Sequence, residues 1–232
     1  TTRTSNEVEW TTDLVAPGGL VVSPVVALRG DAFTYETQSA AGLTTERSGV
    51  LGMATSGVEL RYPVLVQNGG DSHIIEPIAQ IYARPNEMRS GQLPNNDAQS
   101  LVVDTTTLFE RDKFSGFDRI EGGTRANYGL RYTAQMENGF SIGGIMGQSV
   151  QLAGQNPFAV GDVANTGLQS GLETEFSDVV ASLHLGYVDH FSLDHQLRLD
   201  EETLEVRRAE VELHHMSEPF DLSLGYVFAQ AQ

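Results

Sequence analysis

From Thr124 onward the chain alternates, with Thr124, Ala126, Tyr128, Leu130, Tyr132 and Ala134 at even positions against Arg125, Asn127, Gly129, Arg131, Thr133 and Gln135 at odd ones. Successive side chains of a strand point to opposite faces, so a period of two predicts a strand with one polar and one apolar face. After Asn138-Gly139, a strong tight-turn dipeptide, the pattern resumes with Phe140, Ile142, Gly144, Met146, Val150 and Leu152, broken by Ile145 and Gln148. Val179 to Tyr187, Phe191 to Leu199 and Phe220 to Phe228 repeat it, with only Val227 intruding in the last. Between them the phase changes, from Leu204 and Val206 to Ala209, Val211 and Leu213, which predicts a bulge near Arg207-Arg208. Four earlier strands are expected at roughly Asn6 to Leu14, Leu20 to Tyr35, Arg47 to Tyr62 and His73 to Arg84, with no convincing helix. Pro24 and Pro77 remove a ladder donor, so bulges, strand starts or poorly paired positions are expected there.

A soluble sandwich also alternates, but its strands usually run about 5 to 6 residues. Segments of about ten to fourteen residues suit a tilted strand that crosses a bilayer, which needs ~9 to 11. The apolar face carries Tyr128, Tyr132, Phe140, Tyr187, Phe191, Phe220, Tyr226 and Phe228, an expected lipid-facing aromatic girdle. The other face is polar and rich in glycine and serine. Arg125, Asn127, Arg131, Thr133, Gln135, Asp178, Asp194 and Arg198 are its expected lumen-facing residues. Connections alternate short and long, as in outer-membrane barrels. "APGG" is short, 36–46 longer, 63–72 intermediate, 85–123 very long, 136–139 tight, 153–176 long and 188–190 tight; "DEET" is unexpectedly short. The prediction is an all-β antiparallel meander of about ten long strands, with residues 1–232 a single segment of an outer-membrane β-barrel.

Charge and composition narrow the partners. Thirty-one acidic residues against fourteen basic ones give a net charge of −17, which disfavours nucleic acid. Without cysteine there is no disulfide, thiolate metal site or thiol nucleophile. The N-terminus lacks the basic start and apolar run of a signal peptide and no stretch approaches ~18 apolar residues, so the chain is soluble, or meets membrane by something other than helices, or lacks its front end.

The stretches "IIEPIAQIYARPNE", "LPNNDAQSLVVDTTTLF", "KFSGFDRIEGGTRANYGLRY" and "LRLDEETLEVRRAEVEL" resemble the C-terminal barrel of the LPS-assembly protein family, in its alphaproteobacterial form. The resemblance runs from about Arg61 to Gln232 and is strongest from Ile74 to Leu213; before Arg61 only the strand pattern matches. It implies a large outer-membrane barrel that holds a plug lipoprotein, receives lipopolysaccharide from a periplasmic bridge, and delivers it to the outer leaflet between its first and last strands. The family's periplasmic jelly-roll domain and early strands have no counterpart here, nor do the cysteines some members use between domains. The chain is therefore expected to be a fragment, without assignable gate residues and unable to move lipopolysaccharide alone. A porin-like passive channel is the alternative, separable by partner-independent conductance.

Each candidate residue also has an ordinary role. Arg125, Arg131 and Arg198 suit lipopolysaccharide phosphates or the plug's carboxylates, but pairing with acids on their own face, such as Asp178 or Asp194, is the favoured expectation. His214 and His215 are adjacent in a strand and face opposite ways, which a zinc site excludes. "GFSIGGIMG" lacks the strand-to-helix context of a phosphate loop, so its glycines suit strand bending or close backbone approach. Residues 85–123 are too long for a structureless connection, and Phe109, Phe114 and Phe117 predict a loop folded over or into the barrel. Its acids could recruit divalent cations, though solvation is the favoured reading. No grouping of nucleophile, base and orienting acid predicts an enzyme, and no cofactor or metal is expected.

Overall fold

The computed structural model describes residues 2–38, 44–87, 95, 97, 98, 101–161, 166–188 and 190–230. Its strands are β1 Thr2–Thr11, β2 Leu14–Val15, β3 Val21–Gln38, β4 Thr44–Arg61, β5 Val64–Asn68, β6 Asp71–Ala83, β7 Thr124–Gln135, β8 Phe140–Ala153, β9 Val179–Tyr187, β10 Phe191–Leu199, β11 Val206–Ser217 and β12 Phe220–Ala229. All join one antiparallel sheet ordered β1-β3-β4-β6-β7-β8-β9-β10-β11-β12. The short β2 continues β1 alongside β3, and β5 continues β4 alongside β6, so the expected ten long strands emerge with two of them interrupted. Among the described residues β1 and β12 do not pair with each other, so the sheet is open. No described helix is long and apolar enough to cross a membrane; the one helical turn is Pro157–Ala159.

The prolines explain the interruptions. β1 leaves β3 after Thr11↔Val25 and β2 rejoins it at Leu14↔Val22, so Pro24 lies opposite the break at Thr12 and Asp13. In the same way β4 ends on Arg61↔Ile78 and β5 starts on Val64↔Ile75, so Pro77 lies opposite the break at Tyr62 and Pro63. The Pro77 carbonyl accepts from the Tyr62 amide at 3.1 Å. In an antiparallel strand N–H and C=O of one residue point to the same neighbour. The donor that Pro77 lacks is thus missing where the partner strand bends away.

The phase change also has its bulge. Register passes from Arg198↔Arg208 to Leu199↔Val206 and leaves Arg207 as the extra residue. A second bulge, at Leu152, lies between Arg125↔Gln151 and Thr124↔Ala153.

Two loop boundaries differ from expectation. β3 and β4 extend to Gln38 and from Thr44, shortening 36–46 to 39–43. Segment 63–72 becomes β5 and a turn at Gly69-Gly70, where Gly69 takes φ 62°. The alternation of ends holds but that of length weakens, because the β3–β4 connection shrinks to five residues, as many as the turn at 16–20. Short turns at 16–20, 69–70, 136–139, 188–190 and 218–219 lie at one end, and the connections 39–43, 84–123, 154–178 and 200–205 at the other.

The register separates two faces. Arg3, Arg29, Arg47, Arg61, Arg125, Arg131, Arg198 and Arg208 share one face, and apart from the bulged Arg207 no strand carries lysine or arginine on the other. The described residues of connections 84–123 and 154–178 fold onto this charged face. The buried cluster of Ala98, Leu101, Val103, Leu108, Phe114, Phe158, Leu172 and Val180, with Phe109 packed against it, lies between these connections and the sheet. The opposite face exposes Val8, Trp10, Leu130, Met146, Leu183, Leu222 and Leu224.

Candidate functional site

The site is the charged face with its two infolded loops. Leu108, buried, and Phe109 dock where β7 and β8 bring Gly129 and Gly147 opposite each other. A Cβ on Gly147 would stand 2.6 Å from Leu108 Cδ2, and one on Gly129 would stand 3.0 Å from Phe109 Cζ. Glycine at these places makes the notch that the loop fills.

Beside the notch four side chains stack in a column. The Arg119 guanidinium lies 4.5 Å from the Phe114 ring, Phe114 lies 4.8 Å from Phe158, and Arg125 lies 5.0 Å from Phe158 on its far side. Phe114 and Arg119 come from the first loop, Phe158 from the second and Arg125 from β7, so the column ties both loops to the sheet. Each cation also meets a carboxylate. Arg119 Nε donates to both Glu87 oxygens at 3.2 Å, and Arg125 Nε lies 2.8 Å from Glu121.

A polar network extends from this point. Lys113 Nζ donates to Asn127 Oδ1 at 3.2 Å and lies 3.8 Å from Glu121. Asn127 donates to Gln80 Oε1 at 2.9 Å, while its own oxygen accepts from Ser149 Oγ at 2.7 Å. Arg125 donates to Ser149 Oγ at 3.2 Å and to Asn156 Oδ1 at 3.1 Å. The amide of Asn156 in turn donates to the carbonyls of Leu172, Glu173 and Thr174. Charges this deep persist only when paired and hydrogen-bonded. Burial, followed by the Glu121 charge, pushes the Asp112 carboxyl up to about 7; burial brings the Lys113 amine down to about 8, against the pull of Glu121.

The favoured expectation for the arginines holds. Arg131 lies 3.6 Å from Glu76, Arg198 lies 3.3 Å from Asp178, and Arg125 has Glu121. Asp194 instead meets His184 Nδ1 at 2.7 Å. Asn127 and Arg125 are buried hubs, whereas Thr133 and Gln135 are exposed on the same face, toward the short-turn end. His214 faces the charged side, 2.7 Å from Ser223 Oγ, and His215 the other. Asp178, Asp200 and Glu201 bring carboxylate oxygens within 4.8 Å of one another, and Arg198 and Arg207 supply countercharge there. Arg207 Nη2 lies 2.5 Å from Asp200, which accepts from the Thr203 amide and hydroxyl and is held well below the usual carboxylate range.

A cavity of about 390 Å³ remains between loop residues 102–105 and the wall of Gln196, Arg198, Arg208 and Glu210. Further toward the short turns a second hollow is lined by Thr105 and Thr106 of the loop and by the half-buried Gly143, Ser182 and Asp194 of the wall. All eight aromatics expected to face lipid lie opposite the arginines. Phe140 and Tyr187 stack at 4.5 Å beside their turns, and Tyr132 bonds His73 Nδ1 at 2.9 Å near Gly69-Gly70. Tyr226 stands six residues up β12 from Phe220 and so lies away from the turn.

A family model for LPS transport system D matches residues 1–232, the whole chain. The chain belongs to the LPS transport system D family. No curated protein matches it. The match covers residues 1–60 as well, where the sequence alone carried only alternation. As a member of the LPS transport system D family the chain is an outer-membrane transport protein rather than an enzyme, and its single antiparallel sheet fits that location. Lys113, Glu121, Asn156 and the Gly129–Gly147 notch escaped sequence reading. Lys113, Glu121 and Arg125 lie within twelve residues of one another, but they meet only through the path of the folded loop, and only the excess of phenylalanine in 85–123 signalled a packed loop.

Proposed function

We propose that this chain forms wall and cap of a barrel that passes lipopolysaccharide into the outer leaflet. The charged face lines the lumen and the apolar face meets lipid, because a lipid-facing arginine or lysine costs ~2 to 4 kcal/mol at the bilayer midplane and the strand arginines avoid one face apart from the bulged Arg207. The long connections lie outside the cell and the short turns toward the periplasm. One observation carries the reading against a porin-like channel. Loops 84–123 and 154–178 do not rim an open pore but fill the wall's outer half with a buried core and a column of arginine and phenylalanine. Toward the short turns Arg131, Thr133 and Gln135 stay exposed, which leaves room for the plug lipoprotein and for lipopolysaccharide handed over by the periplasmic bridge.

Photo-crosslinking amino acids at Gln135 and Ser141, in the full-length protein in cells, test this reading. Adducts with a lipoprotein or lipopolysaccharide are expected there, and none with the lipoprotein from Leu130. Stable ion conductance by the protein without partners, and no adducts at Gln135 or Ser141, would favour the passive channel.

A further inference from the structure

β3 and β4 rise well beyond their neighbours. β6 stops pairing with β4 at Ala83↔Ser56, level with Val26 and Trp10, and the β3–β4 ladder continues to Gln38↔Thr44. Twelve further residue pairs, from Ala27↔Thr55 to Gln38↔Thr44, run about 40 Å along the strand at ~3.3 Å per residue. β1 accompanies them as far as Thr2↔Thr34.

The two sides of this projection differ. On the charged side Ala27, Asp31, Phe33, Tyr35 and Met53 are buried. Loop 111–118 reaches that side: Arg111 lies 3.1 Å from Glu7, Arg3 pairs with Asp118, and Arg29 donates to the Phe117 carbonyl at 2.7 Å. The other side continues the lipid-facing surface upward and changes character above Trp10, itself 57% exposed and suited to the membrane–water boundary. Beyond Val8 and Leu28 it presents the rows Asn6–Gly30–Gly52, Thr4–Ala32–Val50 and Thr2–Thr34–Ser48 and then the pair Glu36–Glu46, with Val50 exposed and no lysine or arginine.

Gly30 and Gly52 are not required by the fold. A Cβ on Gly30 would meet nothing within 4 Å, the nearest atom to one on Gly52 lies 3.9 Å away, and neither has a positive φ. Glycine inside a strand gives up stability relative to a residue with a side chain, and it marks places where something outside approaches the backbone closely. Here the open side of both glycines faces away from the infolded loops, on a surface where hydroxyls, an amide and bare backbone surround the exposed Val50.

We propose that the outer side of the β1–β3–β4 projection above Trp10 is a contact surface for the saccharide portion of lipopolysaccharide in the outer leaflet. The inference rests on the orientation given under Proposed function. Sugar rings match the surface in chemistry, with hydroxyls for Thr34, Ser48 and Asn6 and flat C–H faces for the glycine saddle. Continuity with the lipid-facing wall places it beside the leaflet that carries those sugars, and the covered inner side leaves the outer one as the free face.

The chain has no cysteine of its own, so label found on the peptide that carries the substitution reports that position. Thr34→Cys and Ser48→Cys in the full-length protein are labelled with a membrane-impermeant maleimide in intact cells, with complete or truncated saccharide. Labelling at both positions should rise at least severalfold on truncation. Leu130→Cys should stay unlabelled in both strains and Ser115→Cys should label equally. Labelling of Thr34→Cys at the same rate in both strains would overturn the proposal, and no labelling in either would mean that a protein covers this face. Labelling of Leu130→Cys would instead refute the lipid-facing assignment beneath it. A Gly30→Leu variant gives a second reading: its Cβ has room in the protein, so saccharide contact predicts altered Thr34→Cys protection at unchanged heat-modifiability, and unaltered protection counts against contact at the saddle.

Discussion

Glu121→Gln is the sharpest test of how the cap is held. The carboxylate is buried between two buried cations, 3.8 Å from Lys113 Nζ and 2.8 Å from Arg125 Nε, and it also accepts from the Lys113 amide at 3.2 Å. Glutamine keeps the shape and one acceptor but removes the charge, leaving two cations in a low-dielectric setting. Removing one partner of a buried pair costs ~3 to 5 kcal/mol. Asp112 offsets part of this, because losing its acidic neighbour lets it ionise and serve as counter-ion, so the lower end, about 3 kcal/mol, is expected. At ~1.4 kcal/mol per tenfold change, the open population of loop 101–123 rises roughly a hundredfold. Trypsin, which cuts after Arg111, Lys113 and Arg119, reads that population directly when opening is fast relative to cleavage. Full-length protein in proteoliposomes should be nicked about a hundred times faster in the variant, and adding Lys113→Met, which removes one orphaned cation and this cleavage site, should recover most of the protection at Arg111 and Arg119. If the single variant is cut at the parental rate, the network contributes nothing net and the apolar core alone holds the cap. If the double variant is no better protected, the loss is one of packing rather than charge.

Loop protection should also depend on pH. Asp112 is raised in the docked loop, to about 7, so the docked form keeps a proton that the open form has lost. Docking therefore weakens as pH climbs from ~4 toward 7. Lys113 is lowered to about 8, so protection returns as pH rises from about 8 toward ~10.4, and cleavage should be fastest near pH 7 to 8; a pH-independent rate, once corrected for the protease, would refute this. Leu130→Arg should impair assembly by ~2 to 4 kcal/mol, whereas Thr133→Arg, three residues on and facing the lumen, should be tolerated. Equal heat-modifiable yields of the two would mean that the faces are not lipid and lumen. For orientation, Ser115→Cys should react with an impermeant reagent in intact cells and Asn138→Cys only after the outer membrane is breached; the reverse order would invert the barrel.

Much of the sheet was legible because each signal was local. Alternation depends on the next residue but one, so β7 to β12 emerged with nearly correct ends, and the phase change from Val206 to Ala209 located the Arg207 bulge. Pro24 and Pro77 marked where a partner strand breaks, since a missing donor is tolerable only there. The ends of β3 and β4 were less legible. Above Trp10 the outer side mixes Val8, Leu28 and Val50 with glycine, threonine, serine and glutamate, so the apolar half of the alternation is interrupted while the ladder continues. The cap was the least legible part. Glu121 reads as one more acid on a solvated loop, and nothing nearby shows that it will lie between Lys113 and Arg125. The notch is silent for the same reason: Gly129 and Gly147 become a pair only when β7 and β8 align, and their use appears only when Leu108 returns from the previous connection.

The charge balance follows from this division of labour. A lumen wall filled with aliphatic side chains would hold its loops more cheaply, since replacing a buried ion pair with packed apolar residues is often neutral or stabilising. Such a wall would leave a large apolar surface exposed in the periplasmic half and in the loops before they dock, and surfaces of that kind promote association. The chain confines its apolar kernel to the contact between Leu108, Phe114, Phe158 and Leu172, and surrounds it with charges that water can solvate whenever the loops are open. Arginine suits that setting because it stays charged, stacks on rings and pairs with carboxylates. The acidic residues complete the arrangement: Glu76 on β6, and Asp178 and Glu121 on the connections, each pair with an arginine of the charged face, which under the proposed orientation keeps those cations away from lipid.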